Sequence, residues 1–546
     1  MARDWSLRAT ADELRQRYVH EGLWNDDTLG ALIDQRLASN PDLTFRIWSD
    51  TRPYEGTIEE VHHIARSLAA GLAQRGIGPG DVVAFQLPNS MEAAAAFWGV
   101  SFLGAVIVPI VHFYGAKEVG FILRQSGARA LITADRFRQI DYLSSLAGLR
   151  AELPDLDLVV VVGQAPADTL AFEEVLNADH QERASVDPDT PALIAYTSGT
   201  TADPKGVVHT HRSLLAEIRQ LSDLAPPNLR PAIVGAPVGH AIGMLGGLLG
   251  PVERGVSIHL IDVWEPPAVL AAMVEADLTF LGGATYFLTS LLDSPDFGTE
   301  HLERIPFAGL GGAPVPAAVA ERAAALGITL VRSYGSTEHP SITGSWRDAP
   351  EAKRLYTDGA ALPGVEMRLV DDVGRDVPPG SAGEILSRGP ELFAGYTDPE
   401  LTNEAVDADG WFATGDIGVL DADGYLAITD RKKDIIIRGG ENVSAAEVEE
   451  LLLRMPGVAE VAVVAAPDAR LGEHVCAFVR LLPDGPEPSL DDVRDHLRAA
   501  GLARQKWPEE LRIVEDFPRT PSSKVKKFTL RDQLRHEAAV APEASR

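Results

Sequence analysis

The sequence predicts an α/β protein with a large N-terminal domain over residues 1–430 and a small, mobile α+β C-terminal domain over residues 431–546. Apolar runs alternate with helical periodicity from about residue 51 to residue 263, a pattern typical of parallel sheets sandwiched by helices. Between residues 364 and 430 the segments shorten and turn signals multiply, which indicates antiparallel hairpins in a small β-barrel-like subdomain. Five consecutive charged residues, 430–434, then precede a new apolar run, and they form either a hairpin corner or a hinge between domains.

The length and composition support several domains and a reducing compartment. A chain of 546 residues is too long for one hydrophobic core. Its 45% hydrophobic and 6% aromatic content fit an ordinary globular protein. The single cysteine, Cys476, excludes an intramolecular disulfide. No signal-peptide core follows Met1, so we expect a cytoplasmic protein. We expect it to be a monomer or a homodimer.

The distribution of charge argues against a nucleic-acid partner. The net charge is −30, and residues 431–546 hold 19 Lys and Arg against 20 Asp and Glu, so nearly all of the excess lies in residues 1–430. Nucleic-acid binding requires a basic stripe, whereas an acidic surface favours solubility.

One uncharged stretch, residues 93–111, is nearly long enough to cross a bilayer. It contains Gly104 and Pro109 and divides into a buried helix over residues 91–104 and a β-branched strand over residues 105–111. A helix that leads into a parallel strand is the simpler explanation, so we expect no transmembrane span.

The loop at residues 197–206, T-S-G-T-T-A-D-P-K-G, is the strongest functional signal. It follows the apolar run 193–196 and offers hydroxyl and backbone donors and one mobile lysine, which suits a polyphosphate. It is not a Walker A loop, because Pro204 stands where the second glycine belongs and Gly206 follows Lys205. A polar surface loop is the alternative interpretation.

Two later loops could hold the base and the metal of a nucleotide. The run G-L-G-G-A-P at 309–314 lets a flat ring approach the backbone, but Pro314 replaces the last glycine of a dinucleotide motif. In S-Y-G-S-T-E at 333–338, Tyr334 could stack on a purine and Glu338 could bind Mg²⁺. Each could equally be a plain turn.

Two further residues complete the set. Asp416 follows a tight turn, where it could bind a ribose diol or simply close an Asx-turn. Lys524 lies on a serine-rich loop, where it could be a solvated charge or could reach a charged transition state. Two unit charges about 4 Å apart gain about 4 kcal/mol at an effective dielectric constant near 20.

In order and spacing, these five motifs resemble the adenylate-forming superfamily, which contains acyl- and aryl-CoA synthetases, standalone adenylation domains and beetle-type luciferases. The resemblance covers about residues 29–534 and includes D-R-K-K-D-I-I-I-R-G-G-E-N-V-S-A-A-E-V-E-E at 430–450. It implies a two-step reaction in which a carboxylic acid and ATP form an acyl adenylate and pyrophosphate, and a thiol, usually of coenzyme A, then displaces AMP.

The resemblance also implies a role for each motif. The 197–205 loop would wrap the β- and γ-phosphates, the 311–314 run and Tyr334 would hold adenine, and Asp416 and Arg431 would bind ribose. The ATP-binding residues are Thr197, Ser198, Gly199, Thr200, Thr201, Lys205, Gly311, Gly312, Ala313, Pro314, Ser333, Tyr334, Gly335, Asp416 and Arg431. The catalytic residues are Lys524, Glu338, Thr337 and His240, and Glu338 would also bind Mg²⁺.

A swing of the small domain about Lys433 is implied between the two steps. Lys524 would leave, and a pantetheine tunnel would be formed by Arg438, Gly439, Gly440, Glu441 and Asn442. The acyl pocket would contain His240, Gly243, Tyr286, Gly309, Ile342 and Thr343.

The substrate we expect is an apolar acid, most simply a medium- or long-chain fatty acid. The pocket region is rich in small uncharged residues, and residues 231–250 contain no Asp to grip an amino group. A cyclic or aryl acid is the next alternative, and transfer to a carrier protein is another. A binding protein without catalysis is disfavoured because Glu338, Asp416 and Lys524 are all present.

Three details stand apart from these assignments. Ala202 and Ser523 stand where the superfamily usually has glycine, which leaves the rate of reaction open. His209 and His211 are too weak a pattern for a metal, and we interpret them as leading into the helix from Arg212.

Overall fold

The fold is that of a computed structural model, which describes residues 5–176, 183–197, 204–227, 230–439, 441–468, 470–483, 485–520 and 524–540. Over these ranges the chain is a mixed α/β protein, as the sequence predicted. A π-helix, Leu245–Leu249, and two 3₁₀ turns, Arg150–Glu152 and Arg504–Lys506, accompany the α-helices. The α-helices are α1 Asp12–His20, α2 Leu29–Ser39, α3 Ile58–Gln74, α4 Met91–Phe102, α5 Ala116–Ser126, α6 Tyr142–Ala147, α7 Phe172–Val175, α8 His211–Leu224, α9 Ala241–Met244, α10 Gly250–Arg254, α11 Pro266–Glu275, α12 Thr285–Leu292, α13 Thr299–Leu302, α14 Ala317–Ala325, α15 Glu351–Tyr356, α16 Pro399–Ala405, α17 Ala445–Leu452, α18 Leu490–Ala499 and α19 Lys527–Val540.

The strands lie in several sheets that follow one another along the chain. They are β1 Thr44–Trp48, β2 Tyr54–Thr57, β3 Val82–Gln86, β4 Val106–Ile110, β5 Ala130–Ala134, β6 Arg136–Phe137, β7 Ile140–Asp141, β8 Leu158–Val162, β9 Leu170–Ala171, β10 Pro191–Thr197, β11 Lys205–Thr210, β12 Ile233–Val234, β13 Ile258–Ile261, β14 Gly282–Gly283, β15 Phe307–Leu310, β16 Thr329–Tyr334, β17 Thr343–Gly344, β18 Ala360–Ala361, β19 Glu366–Val370, β20 Ala382–Arg388, β21 Gly395–Tyr396, β22 Phe412–Leu420, β23 Leu426–Arg431, β24 Ile436–Arg438, β25 Glu441–Val443, β26 Val458–Asp468, β27 Gly472–Leu481 and β28 Glu510–Ile513.

The largest sheet has the order β21-β11-β10-β4-β3-β5-β8-β9 and is parallel from β10 to β9. Alternate residues of each strand enter different cores: Val83 and Phe85 pack in one cluster, and Val82 and Ala84 pack in another. Both faces are therefore covered, which explains the continuous apolar runs.

The uncharged stretch 93–111 forms the buried helix α4 and the strand β4, which confirms the prediction. Apart from Met91, every residue of α4 is buried, and Glu92 near its start forms an ion pair with Arg52 at 2.8 Å. In the described part of the chain, no helix has the length and apolarity needed to cross a membrane.

A second sheet, in the order β14-β15-β16-β17-β18, carries two of the predicted motifs. β15 and β16 are parallel, with Leu310 opposite Arg332. Because parallel strands end at the same edge of a sheet, the glycine run after Leu310 and the Tyr334 turn lie side by side. A separate sheet in the order β12-β13-β1-β2 packs beside them, and β6 and β7 form a two-stranded ribbon.

The strands between residues 366 and 431 pair antiparallel, in the order β19-β20-β22-β23. Antiparallel hairpins were predicted here, together with a barrel-like shape. Among the described residues no ladder joins β19 to β23, so the four strands form an open sheet rather than a closed barrel. Closure requires more strands, tilted and staggered around an axis.

The C-terminal residues build a sheet of their own, in the order β25-β24-β27-β26, with β28 parallel to β27. Val463 and Val475 face one apolar cluster, while Val464 and Cys476 face another. The sheet therefore has a core on each face. A domain boundary between residues 430 and 431 stays a prediction.

Candidate active site

The ends of the phosphate loop are the parts of it that the structure describes. Thr197 ends β10 and pairs with Lys205 at the start of the antiparallel strand β11, so the two strands that flank the loop are paired at its ends. Ser198, Gly199, Thr200 and Thr201 lie outside the described residues, as does Ala202. The Lys205 ammonium lies 5.1 Å from the centroid of the Tyr396 ring, within range of a cation–π contact.

The glycine run after β15 is held against the end of β16. A Cβ on Gly311 would lie 2.4 Å from Ser333 Oγ, and Gly312 has a φ of +72°. A Cβ on Gly335 would lie 1.9 Å from the Pro340 carbonyl oxygen. Each of these positions therefore requires glycine, which leaves backbone exposed beside Tyr334.

Tyr334, Asp416 and Arg431 form one hydrogen-bonded group. Asp416 and Arg431 are opposite each other in the β22–β23 ladder. Tyr334 donates its hydroxyl hydrogen to Asp416 Oδ2 at 2.7 Å, and Arg431 Nε donates to Asp416 Oδ1 at 2.9 Å. Burial and the Asp416 charge raise the pKa of Tyr334, which keeps its hydroxyl protonated. The structure thus brings together three residues that the sequence assigned to adenine and ribose.

Thr337 and Glu338 are fixed by residues that the sequence analysis did not single out for this site. His209 Nε2 lies 2.8 Å from the Thr337 carbonyl oxygen. Burial lowers the pKa of His209 to about 4, so the ring is neutral and this nitrogen donates. Glu338 Oε1 accepts the Tyr396 hydroxyl at 2.8 Å, and the Glu338 carbonyl oxygen accepts the Phe393 N–H at 2.8 Å.

Our interpretation of His209 as only a lead into α8 was therefore incomplete. Its partner Thr337 is 128 residues away. Tyr396 is separated from Glu338 by 58 residues. The sequence signal for Tyr396 was the pair of aromatic residues at positions 393 and 396 beside a glycine. Such a pair does not specify which residue it contacts.

Lys524 approaches this group from the C-terminal part of the chain. Its loop is closed by two hydrogen bonds, from Thr520 N–H to the Lys524 carbonyl oxygen at 2.7 Å and from Lys524 N–H to Thr520 Oγ1 at 3.1 Å. Burial lowers the pKa of Lys524 to about 8, and the positive charge of Arg431 adds to this, while Asp416 and Glu338 oppose it. Lys524 is therefore mostly charged at pH 7 and lies within electrostatic range of both carboxylates.

His240 also interacts electrostatically with the same lysine. Burial, reinforced by the Lys524 charge, lowers the pKa of His240 to about 4, so the ring is neutral. Its Nδ1 accepts the Ile242 N–H at 3.3 Å and caps α9. His240 is thus both a helix cap and a neighbour of Lys524.

The remaining predicted acyl-pocket residues differ in burial and in the space around them. Ile342 and Thr343 are 0% exposed, and the Thr343 hydroxyl donates to the Asp358 carbonyl oxygen. A Cβ on Gly243 would lie 2.1 Å from the Pro237 carbonyl oxygen, so this glycine permits close packing. Gly309 has more space, since its nearest neighbour would be a Val331 methyl at 3.7 Å.

Tyr286 lies where the two parts of the chain meet. It is 39% exposed, and the Arg519 guanidinium lies 5.7 Å from its ring centroid. Nearby, the Ala317 N–H at the start of α14 donates to Glu450 Oε2 at 3.3 Å. These contacts hold the C-terminal part beside the site.

The predicted tunnel residues lie on the β24–β25 hairpin. Arg438 pairs with Glu441 in the ladder and forms an ion pair with Glu509. Glu441 and Asn442 are exposed, Gly439 has a φ of +59°, and Gly440 is outside the described residues. The contacts of Arg438 thus stay within the C-terminal part, away from Lys524.

The side chains that could bind a metal here suit an ion that is held mainly by the phosphates of a nucleotide. In the residues that the structure describes, no group of three or more His, Cys, Asp or Glu could hold a metal. Glu338 offers one carboxylate, which accepts a hydrogen bond from the same Tyr396 whose ring contacts Lys205. Mg²⁺ is commonly bound in this way, through one or two carboxylates together with substrate phosphates.

The paired strands that flank the 198–203 loop, the tyrosine–aspartate–arginine group and the lysine from the C-terminal part of the chain are the features of a nucleotide-binding enzyme. Residues 33–397 match the family described as AMP-binding enzyme, and residues 447–524 match its C-terminal domain. The chain belongs to this family, which confirms the resemblance seen in its motifs.

Individual relatives cover nearly the whole chain. It is 36% identical over 531 residues to a medium-chain fatty-acid–CoA ligase of Escherichia coli (strain K12), covering 96% of this chain and 93% of the relative. It is also 36% identical over 497 residues to a 3-[(3aS,4S,7aS)-7a-methyl-1,5-dioxo-octahydro-1H-inden-4-yl]propanoyl:CoA ligase of Rhodococcus jostii (strain RHA1), covering 87% and 93%. The crystal structure of the anthranilate CoA ligase AuaEII with anthranoyl-AMP aligns with a TM-score of 0.86 at 26% identity, covering 94% and 98%.

Proposed function

We propose that this protein is an AMP-forming acid–CoA ligase for a medium- or long-chain fatty acid. The observation that carries the proposal is the position of Lys524, whose charge interacts with Asp416, Glu338 and His240 from the C-terminal part of the chain. Membership of the AMP-binding family and the ligase names of the relatives support it.

In the first step, a carboxylate oxygen of the acid attacks the α-phosphorus of ATP. A new P–O bond forms, the bond between the α-phosphorus and the bridging oxygen breaks, and pyrophosphate leaves with the electron pair. The Lys524 ammonium stabilises the negative charge that builds up around the phosphorus, and it does so as a fixed charge rather than as a base. Neutral His240 lies beside it without adding a competing positive charge.

Mg²⁺ would be held by Glu338 and by the phosphates, where it neutralises charge on the phosphate oxygens. The chain's own contribution is to hold that carboxylate still. Phe393 fixes the Glu338 backbone, and Tyr396 fixes its side chain. Lys205 and the hydroxyls of the 197–201 loop supply the remaining phosphate donors in this proposal.

In the second step, the thiol of coenzyme A gives up its proton and its sulfur attacks the acyl carbon. The C–S bond of the thioester forms, the bond between the acyl carbon and the phosphate oxygen breaks, and AMP leaves with the electron pair. We assign this step to a second arrangement, in which the unit beyond residue 430, which we call the lid, turns about Lys433 and brings the 438–442 hairpin to the site. The support is that the hairpin's contacts lie within its own unit, so they survive a rigid-body turn.

The acid is assigned from the absence of a charged partner in the predicted pocket, and the E. coli relative carries a medium-chain fatty acid in its name. The R. jostii relative, at the same identity, is named for a bicyclic propanoic acid. A cyclic acid is therefore the second candidate.

A panel of acids separates these possibilities. Fatty acids of increasing chain length, a cyclic acid and an aryl acid are each incubated with ATP and Mg²⁺, with and without coenzyme A, and AMP and acyl-CoA are measured. We expect turnover to peak with a fatty acid and to require coenzyme A. A peak with a ring acid would reassign the substrate, and pyrophosphate release from every acid without thioester formation would favour a carrier-protein acceptor.

A further inference from the structure

Tyr396 connects the two charged groups to which the proposed function assigns the ATP phosphates and their metal. Its hydroxyl donates to Glu338 Oε1 at 2.8 Å, and the face of its ring lies 5.1 Å from the Lys205 ammonium. A single side chain thus contacts the predicted metal carboxylate with its polar end and the predicted phosphate lysine with its apolar face.

The position of Tyr396 is set by the sheet. It lies in β21, which pairs antiparallel with β11, and Val207 is its partner in the ladder. Its N–H donates to Thr402 Oγ1 at 2.9 Å, and its ring meets the edge of Phe393 at 4.9 Å between centroids. Only 3% of the residue is exposed. The hydroxyl is therefore held by a buried residue of a paired strand rather than by a loop.

The hydroxyl can act only as a donor to Glu338. The 2.8 Å hydrogen bond ends on a carboxylate oxygen, which accepts, so the phenol supplies the hydrogen. Among the described residues, none donates a hydrogen bond to the other carboxylate oxygen of Glu338. Tyr396 thus occupies one oxygen of the Glu338 carboxylate and leaves the second oxygen for a cation.

We propose that Tyr396 is a positioning residue for Mg²⁺·ATP, which orients the Glu338 carboxylate through its hydroxyl and holds the Lys205 ammonium through its ring. The inference rests on the proposed function, because it takes Glu338 as the metal ligand and Lys205 as a phosphate donor. It assigns a separate role to each part of the side chain. The hydroxyl orients the carboxylate that would bind the metal, and the ring places the lysine that would bind the phosphates.

Two substitutions separate these roles. Tyr396→Phe removes the hydroxyl and keeps the ring, whereas Tyr396→Leu removes both. Binding of ATP to the full-length protein is measured by calorimetry with Mg²⁺ and with a chelator, so that no acid substrate is needed. The gain in ATP affinity caused by Mg²⁺ is the quantity compared.

We expect Tyr396→Phe to reduce that gain about tenfold, as loss of a hydrogen bond to a charged group does, while ATP affinity in chelator stays within twofold. Tyr396→Leu should also weaken binding in chelator. Tyr356→Phe is the matched control, because its hydroxyl donates to Glu321 Oε1 at 3.1 Å on an exposed surface, and it should behave as the wild type.

The results distinguish a failure of the positioning role of Tyr396 from a failure of the proposed function. If the wild type gains affinity from Mg²⁺ and Tyr396→Phe gains as much, the positioning role is wrong while the proposed function stands. If the wild type gains no ATP affinity from Mg²⁺, then Glu338 does not act as its ligand and the positioning role fails with that assignment, whereas the ligase function is decided by the panel of acids. Thermal melting of each variant identifies a folding defect, and in that case Tyr396→Phe, which keeps the packed ring, remains the deciding variant.

Discussion

Replacement of Lys524 by alanine tests the central assignment, since it should disable one half-reaction and spare the other. The ammonium acts on charge that develops when the acid attacks ATP, and thioester formation needs no such charge at this position. Lys526→Ala is the matched control, because it removes a lysine two residues further along the chain.

The size of the effect follows from the environment of the lysine. Lys524 is partly buried and interacts with Asp416 and Glu338, so its charge is less screened than in water. Two unit charges about 4 Å apart gain about 4 kcal/mol at an effective dielectric constant near 20, which corresponds to a factor of about 10³ in rate.

The assay measures the two steps separately. Acid-dependent exchange of pyrophosphate into ATP reports adenylation, and release of AMP from a preformed acyl adenylate with coenzyme A reports thioester formation. We expect Lys524→Ala to lose about 10³-fold in the first and less than threefold in the second. Equal losses in both would refute the assignment and make Lys524 a structural residue.

Three further predictions use the same assays. Adenylation should decline as pH rises through about 8, because Lys524 loses its proton there and the protonated form carries the charge, and this alkaline limb should be absent in Lys524→Ala. Gly311→Ala should raise the KM for ATP and cost about 1–3 kcal/mol of stability, measured by chemical unfolding, because its Cβ would lie 2.4 Å from Ser333 Oγ. Glu450→Ala should slow adenylation two- to fivefold and spare thioester formation, since it removes the carboxylate that accepts from Ala317 at the start of α14.

Matched variants and adverse results complete these tests. Gly78→Ala places a Cβ where nothing lies within 4 Å, and an equal change there would remove the steric explanation for Gly311. Glu447→Ala breaks an ion pair with Lys506 inside the C-terminal part, and it should leave both half-reactions unchanged. A flat pH profile to pH 9.5 would contradict the charge on Lys524, and equal slowing of both steps by Glu450→Ala would contradict an effect on the lid position.

Structural features that depend on a short, continuous stretch of sequence could be predicted. The helix α4 and strand β4 follow from an uncharged apolar run that glycine and proline divide. The glycine run and the Tyr334 turn end up adjacent because they follow two parallel strands, β15 and β16. Both depend on local periodicity and on the shared edge of a sheet.

Features that depend on strand order could not be predicted. Tyr396 reaches Lys205 because β21 pairs with β11, and nothing near either residue specifies that pairing. Thr343 was assigned to the acyl pocket, yet β17 pairs with β16 opposite Tyr334 and turns its hydroxyl toward Asp358. The side of a strand that faces a ligand is fixed by its partners, which a single sequence does not contain.

One contact between the proposed lid and the rest of the chain is a weak surface ion pair, as the proposed turn requires. Arg454 and Glu321 form an ion pair at 3.5 Å and are 47% and 40% exposed, so the pair contributes at most about 1 kcal/mol. Within the lid, by contrast, Lys527 and Glu449 pair at 2.7 Å and are much less exposed. In the proposed turn, the exposed Arg454–Glu321 pair would break and the less exposed Lys527–Glu449 pair would be kept.

The charge around Lys524 supplies a reason for the order of events. Arg431 and Lys433 both lower its pKa, so without bound phosphates this ammonium lies near two other cations. ATP brings negative charge that compensates for them, and pyrophosphate carries most of that charge away when it leaves. Lys524 is then held less strongly after adenylation than before it, and we expect the lid to turn after pyrophosphate release rather than before. A conformational signal that precedes pyrophosphate release in a stopped-flow experiment would contradict this order.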